Sequence, residues 1–463
     1  MLTIGDPQRL NRRGFLTAGG LALGGLSLAD MLALKAHGAS NAKLLKDKSV
    51  VFVFMHGGPS QIETFDPKMD QPVEIASATG EVSTKLPGIT FGGTFPRLAQ
   101  LADRMSIVRS FTTGDGNHDI KPIVGRETYG ANLGSLYARV AGQNRPHDGM
   151  PTNVTLYPQA VDDTTMPPIK QFGDFESPGS LGGGYAPFAP SGGGELRQNM
   201  KLALPMNRLD ERRLLLTGLD RLKRSFDSQV ALASMGTLQA QAFQTILGGV
   251  ADAFDLSKEN PLTIARYDTA PLVRPDQIDK KWKNYERYVD NAKSLGRLML
   301  LARRLCERGC GFVTVTTNFV WDMHSDVNNA GVEEGFRYMG LPFDHAISAF
   351  LEDVESRGLS EKILLVCCGE MGRSPRINAT GGRDHWGNLA PLMLAGGGLK
   401  MGQVIGQSKR DASEPRSEPV TIKNLIATVL DTLINVGELR LVTGISGDVL
   451  KAATAAEPIS GLV

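Results

Sequence analysis

Ile363-Leu364-Leu365-Val366-Cys367-Cys368-Gly369-Glu370-Met371-Gly372-Arg373-Ser374-Pro375 is the stretch that decides the fold class. Six apolar residues bounded by glycine have strand length and no polar alternation. That is the pattern of a strand buried on both faces, as in a parallel sheet covered by helices. The run empties into Glu370 and Arg373, and a little further on into Gly381-Gly382-Arg383-Asp384-His385-Trp386-Gly387. In an open α/β sheet, ligands bind beyond the carboxyl ends of the strands. The segment up to Asn388 is therefore expected to carry the chemistry.

Two other segments repeat the pattern. Ser49-Val50-Val51-Phe52-Val53-Phe54-Met55 leads into His56-Gly57-Gly58-Pro59-Ser60, and Gly311-Phe312-Val313-Thr314-Val315-Thr316 leads into Trp321-Asp322-Met323-His324. Three buried strands, each ending in a histidine or acid cluster, point to one site assembled at one edge of a sheet. The alternative for each histidine is a hydrogen-bonded structural role.

Working outward, short strands are expected at Met105–Arg109, Asn153–Tyr157 and Pro391–Leu394. Helices are expected over Phe95–Arg104, Leu133–Ala141, Leu209–Phe254, Gln277–Arg308, Leu341–Ser356 and Thr421–Leu433, from their apolar spacing. Leu214, Leu215, Leu219 and Leu222 read as core. The polar loop Ser110–Asp119 is expected to start a helix near His118, whose amino end would suit an anion between Arg109 and Arg126. Glu176–Gly194, rich in Gly, Pro and Ser, reads as a lid or a mobile excursion. Strands alternating with helices predict an α/β doubly wound, mostly parallel sheet between helices. A helical insertion is expected at about 195–308, within a domain covering 39–463.

A formal net charge of +1 over 463 residues argues against a nucleic-acid partner, which calls for a basic face. At the amino end, Asn11-Arg12-Arg13-Gly14-Phe15-Leu16 precedes a Gly/Ala/Leu-rich run to Leu28. A basic segment followed by a short apolar one reads as a signal over residues 1–38. The paired arginines specify the twin-arginine type, hence export to the periplasm or beyond. The run is too short for a permanent membrane span. Cys306, Cys310, Cys367 and Cys368 show no metal spacing and read as core, with a Cys306–Cys310 disulfide the alternative.

His56, His324 and His385 offer nitrogen, and Asp322, Glu370 and Asp384 offer oxygen. Such a set suits a divalent metal: zinc, manganese or iron, with calcium also open. The metal ligands expected are His56, Asp322, His324, Glu370 and His385. His118 and Asp384 are the expected catalytic partners, with Arg373 and Arg383 gripping an anionic group through forked hydrogen bonds. Gly396-Gly397-Gly398-Leu399-Lys400 lacks the spacing of a phosphate-binding loop, and Gly58-Pro59-Ser60-Gln61-Ile62 is not a nucleophile elbow. A triad of Ser60, His385 and Asp322 ranks below the metal reading.

Taken in order, the Arg12-Arg13 motif, His56-Gly57-Gly58-Pro59-Ser60-Gln61, Asn117-His118, Trp321-Asp322-Met323-His324, Gly369–Pro375 and Gly382–Trp386 resemble a bacterial family catalogued as domain of unknown function 1501. That family is similar to the alkaline phosphatase and sulfatase superfamily. The resemblance implies a parallel sheet between helices with a metal site at one edge. It sets His385 beside the superfamily's late histidine ligand, and Asp322 with His324 beside its Asp/His pair. Glu370 and His56 stand where the superfamily has an Asp-His pair and an aspartate. Asn117 and His118 fall where its nucleophile lies, and no Cys-x-Pro-x-Arg sulfatase signature is present. Two functions follow. The first is an exported metal-dependent hydrolase of sulfate or phosphate esters, on a small-molecule or polysaccharide substrate. The second is a non-catalytic envelope protein that binds a glycan or a protein partner.

Overall fold

The computed structural model describes residues 44–146, 148–190, 250–442 and 445–463. The signal-like segment, and nearly all of the helix expected over Leu209–Phe254, lie outside the described residues. The strands are β1 (Ser49–Phe54), β2 (Glu81–Ser83), β3 (Thr90–Gly92), β4 (Ser106–Val108), β5 (Phe111–Thr112), β6 (Asn153–Leu156), β7 (Phe312–Thr316), β8 (Ile363–Cys368), β9 (Gly372–Ile377), β10 (Arg383–Trp386), β11 (Leu392–Gly396), β12 (Gln403–Ile405) and β13 (Val420–Thr421). The helices are α1 (Gln61–Thr64), α2 (Pro96–Ala99), α3 (Leu133–Ala141), α4 (Ala251–Phe254), α5 (Pro261–Arg266), α6 (Tyr285–Glu307), α7 (Val332–Ser356), α8 (Ile422–Leu433), α9 (Val436–Leu439) and α10 (Gly447–Ala453).

Among the described residues, seven strands form one sheet in the order β12-β4-β11-β8-β1-β7-β6. The three apolar runs are its centre. β1 pairs in parallel with β8 (Val51↔Leu365, Val53↔Cys367) and with β7 (Val51↔Val313, Val53↔Val315). Every residue of these three strands is buried. Strand geometry sends alternate residues to opposite faces. Val51 and Val53 pack with Leu298 of α6 and Phe343 and Phe350 of α7. Val50, Phe52 and Phe54 pack with Leu136 of α3 and Leu425 and Val429 of α8. Cys367 and Cys368 fall one on each side. Each such fully buried apolar side chain contributes about 1.5–3 kcal/mol. The fold is α/β with a mostly parallel sheet; β11 alone among the seven runs against its neighbours β8 and β4.

Several local expectations change. Residues near His118 form a loop, not the start of a helix. Lys121-Pro122 follows, and a proline disfavours helical backbone at the residue before it. Arg109 turns away from that loop, to the carbonyls of Phe65 and Thr90 and to Asp66. All four cysteines are free and buried, so no Cys306–Cys310 disulfide forms. The described part of the Glu176–Gly194 loop is anchored: Phe188 bonds the backbone of Asn153 and Thr155 along the edge of β6. No helix among the described residues is long and apolar enough to cross a membrane.

Candidate metal centre

β8, β1 and β7 are neighbours, about 4.8 Å apart, and end at the same edge of the sheet. The segments 55–60, 317–324 and 369–372 therefore leave it side by side. The loop after β5 brings His118 in from the flank. The β9–β10 hairpin sets His385 opposite Arg373. Two glycines let these segments touch backbone to backbone. Gly57 has φ +115, and a Cβ on it would sit 2.5 Å from the Asp322 nitrogen. A Cβ on Gly382 would sit 2.0 Å from the His324 carbonyl oxygen.

The outcome is one cluster. Donor atoms of His118, Asp322, His324 and His385 all lie within 4.8 Å of one another. Asp322 Oδ1 is its centre, with His324 Nε2 at 3.0 Å, His118 Nε2 at 3.4 Å and His385 Nε2 at 3.4 Å. His324 Nε2 and His385 Nε2 are 2.7 Å apart. Arg373 Nη2 donates to the same carboxylate oxygen at 2.6 Å. Asp322 Oδ2 accepts from Asn329 Nδ2 at 3.1 Å.

The electrostatics favour a cation here. Burial opposes ionisation of Asp322, but Arg373 and the three imidazoles overcome it and hold the carboxyl far below its usual range. His118 Nδ1 lies 2.9 Å from Glu370 Oε1 and donates to it, so Nε2 is the nitrogen that faces Asp322 and the cluster. Burial opposes the His118 charge, yet hydrogen bonds to Asp322 and Glu370 raise its pKa overall. Burial lowers that of His385; Asp322 opposes the shift, while Arg373, His118 and His324 add to it. Asp322 and Glu370 are both buried, and Arg373 balances only one of them. Three imidazole nitrogens and a carboxylate oxygen converging within 4.8 Å, with a second buried acid behind them, are the donor set of a metal ion, and these residues fit one when the imidazoles are neutral.

The expected site residues separate into three kinds. Asp322, His324 and His385 come together as expected, and His118, expected as a catalytic partner, joins them as a donor. Glu370 stands one step behind, fully buried, its Oε1 accepting from His118 and from the Gly57 N–H at 2.9 Å while its Oε2 has no partner. His56 is outside the cluster. It is buried in a box of Phe54, Phe172, Phe175 and Phe319, its Nε2 unpartnered, and burial pushes its pKa down to about 4. Asp384 lies at the exposed rim, Oδ1 3.7 Å from His324 Nδ1.

The two arginines expected to grip an anion are struts. Arg373 is fully buried and donates to the carbonyls of Gly57, Gly58 and Arg383 as well as to Asp322. Arg383 is fully buried on Glu63, at 2.8 Å, with further bonds to the carbonyls of Ile75, Ala76 and Pro375. Sequence reasoning missed the groups that hold them. Gln61 bridges the N–H and carbonyl of Arg373 at 2.9 and 2.8 Å. Ser60-x-x-Glu63 has the spacing of a helix cap, and Ser60 does cap α1, but Glu63 turns inward to Arg383. Asn329, which fixes Asp322, has no sequence signal of its own.

A family model described as "Protein of unknown function (DUF1501)" matches residues 47–462. The chain belongs to the DUF1501 family. Comparison with curated proteins yields no match. Among solved structures, this DUF1501 protein is similar to the PsFucS1 sulfatase from Pseudoalteromonas sp., with a TM-score of 0.37 and 10% identity over 86% of this chain and 69% of that one. It is similar to the phosphonate monoester hydrolase SpPMH from Silicibacter pomeroyi, with a TM-score of 0.34 and 11% identity over 83% and 73%. It is also similar to Ps i-CgsB, seen in complex with k-i-k-neocarrahexaose, with a TM-score of 0.33 and 9% identity over 89% and 77%. Likeness at this level extends to neither residues nor chemistry.

Proposed function

We propose that this DUF1501 protein is an exported, metal-dependent hydrolase of anionic esters, sulfate ahead of phosphate. The observation that carries the reading is the convergence of three imidazole Nε2 atoms on Asp322 Oδ1 at the carboxyl edge of the sheet. His118, Asp322, His324 and His385 would hold the ion. Three nitrogens to one oxygen favour zinc, manganese or iron over calcium, which takes oxygen ligands. A divalent cation supplies Lewis acidity that offsets charge on the group being transferred. Glu370 keeps His118 in the tautomer that presents Nε2. Asp384, exposed beside His324, is placed to exchange a proton with solvent at the mouth. Gly114-Asp115-Gly116-Asn117-His118 contains no Ser, Thr or Cys. That supports direct attack by water without a covalent ester on the protein. The Arg12-Arg13 segment supports the twin-arginine route as the means of export.

The same lack of Ser, Thr or Cys at Asp115–His118, where the resemblance sets the nucleophile, supports a second reading, a non-catalytic envelope protein that binds a glycan or protein partner at this edge. One experiment separates the two. Metal content and hydrolysis of 4-nitrophenyl sulfate and 4-nitrophenyl phosphate are measured on the purified protein and on His385→Ala. Metal and hydrolysis that both drop in the variant support the hydrolase. Metal lost from the variant, with no hydrolysis by either protein, supports the binding protein. Equal metal in both, with no hydrolysis, removes the metal centre altogether.

A further inference from the structure

With Arg373 and Arg383 committed inside the protein, the question is which group meets an incoming anion. Arg287 lies in the first turn of α6. Its Nη1 is buried with no hydrogen-bond partner, and no ion pair reaches it among the described residues. Burial pushes its pKa down, and Asp290 offsets only part of that. Arg287 is half-buried, and a guanidinium nitrogen shut from solvent without an acceptor is unfavourable unless a ligand meets it.

Its place in the fold is telling. α6 ends a few residues before β7 begins, so it runs back along the sheet and its amino end overhangs the carboxyl edge. Asn284, just before α6, donates Nδ2 to Asn329 Oδ1 at 2.7 Å, and Asn329 donates Nδ2 to Asp322 Oδ2 at 3.1 Å. Two hydrogen bonds thus join the start of α6 to the carboxylate of the cluster. The Arg287 charge is felt at the His56 ring, on the β1 loop. Asn291, one turn along the same face of α6, is buried with both amide atoms unpartnered. Thr316 and Thr317, where β7 ends, have unpartnered buried hydroxyls. This side of the edge holds donors that no protein group satisfies.

We infer that Arg287, with Asn291 behind it, binds the sulfate or phosphate group of the ligand beside the His118–Asp322–His324–His385 cluster. The inference rests on the hydrolase reading for its ligand class. It differs from that reading in naming a residue outside the metal donors and outside every motif that the sequence offered.

The test uses the full-length protein, with metal content measured alongside calorimetric titration of inorganic sulfate and inorganic phosphate. Arg287→Gln is expected to keep wild-type metal content and thermal midpoint, and to weaken binding of these anions by about ten- to a hundredfold, the loss of one charge-assisted hydrogen bond. Arg287→Lys, which keeps the charge and most of the stem, is expected to fall between. Wild-type anion affinity in Arg287→Gln, or no anion binding by the wild type, overturns the inference. A wild type that binds the anions without metal, and loses them in Arg287→Gln, sinks the metal reading and leaves the Arg287 assignment standing.

Discussion

His118 Nδ1 lies 2.9 Å from Glu370 Oε1, across 252 positions of sequence. That hydrogen bond decides which imidazole nitrogen faces the cluster. Glu370→Gln keeps an oxygen that can accept from His118 and from Gly57, so the fold should stand. It removes the charge that raises the basicity of His118. Metal affinity is expected to fall about 10- to 100-fold, measured by competition with a chelator. Unchanged affinity would mean that Glu370 plays no part in holding His118.

Gly57 tests the close approach that builds the site. Gly57→Ala carries the backbone cost of a positive φ, about 1–3 kcal/mol, and also drives a Cβ to 2.5 Å from the Asp322 nitrogen. Thermal stability and retained metal are both expected to drop. Gly80→Ala is the control: φ is +73, but a Cβ there meets nothing within 4 Å. It should lose stability and keep its metal.

The Arg383–Glu63 pair is fully buried on both sides. Arg383→Met is expected to cost about 3–5 kcal/mol by leaving Glu63 without its partner. Arg383→Met with Glu63→Leu is expected to recover a large part of that loss in chemical denaturation. Under conditions where Arg383→Met is folded, its affinity for inorganic phosphate should equal that of the wild type. A selective loss of phosphate binding would return Arg383 to the ligand site.

Asp344 gives a pH signature away from the site. Burial pushes its carboxyl up to about 6, against 3.8 in an open chain, while the N–H groups of Arg97 and Leu98 pull the other way. The folded protein therefore holds a proton there, between those two values, that the unfolded chain has released. Stability from this group is present at low pH and is lost as pH rises through the window, by about 3 kcal/mol. The stability difference between wild type and Asp344→Asn should shift by that order between about pH 4 and 6 and be flat above. No shift across the window would show that Asp344 titrates as an ordinary surface acid.

The central strands were legible because a strand covered on both faces is buried at every position and so is mostly apolar, as β1, β7 and β8 are apart from Ser49, Thr314 and Thr316. The edge that carries the site was legible for the same reason, since parallel strands share a carboxyl end. Asp322 and His324 could be chosen because they lie in the segment that follows β7, and His385 because it lies in the segment that follows β8, although the β9–β10 hairpin is what returns it to the edge. His118 was placed on the right loop with the wrong local structure, a helix where Pro122 and the charges around Lys121 keep an irregular turn.

By itself, the sequence determined where buried strands begin and end, and which chemically able residues hang from their tips. Tertiary structure alone decided what each charged residue does. Arg287, Arg373 and Arg383 are identical in kind, and a guanidinium takes its role from whatever meets its five donors. Arg383 meets Glu63, 320 positions away, and Arg373 meets Asp322 and the carbonyls after β1. Arg287 meets no such partner among the described residues. Those encounters depend on loops brought together by the sheet and let through by Gly57 and Gly382, and no local pattern in the chain encodes them.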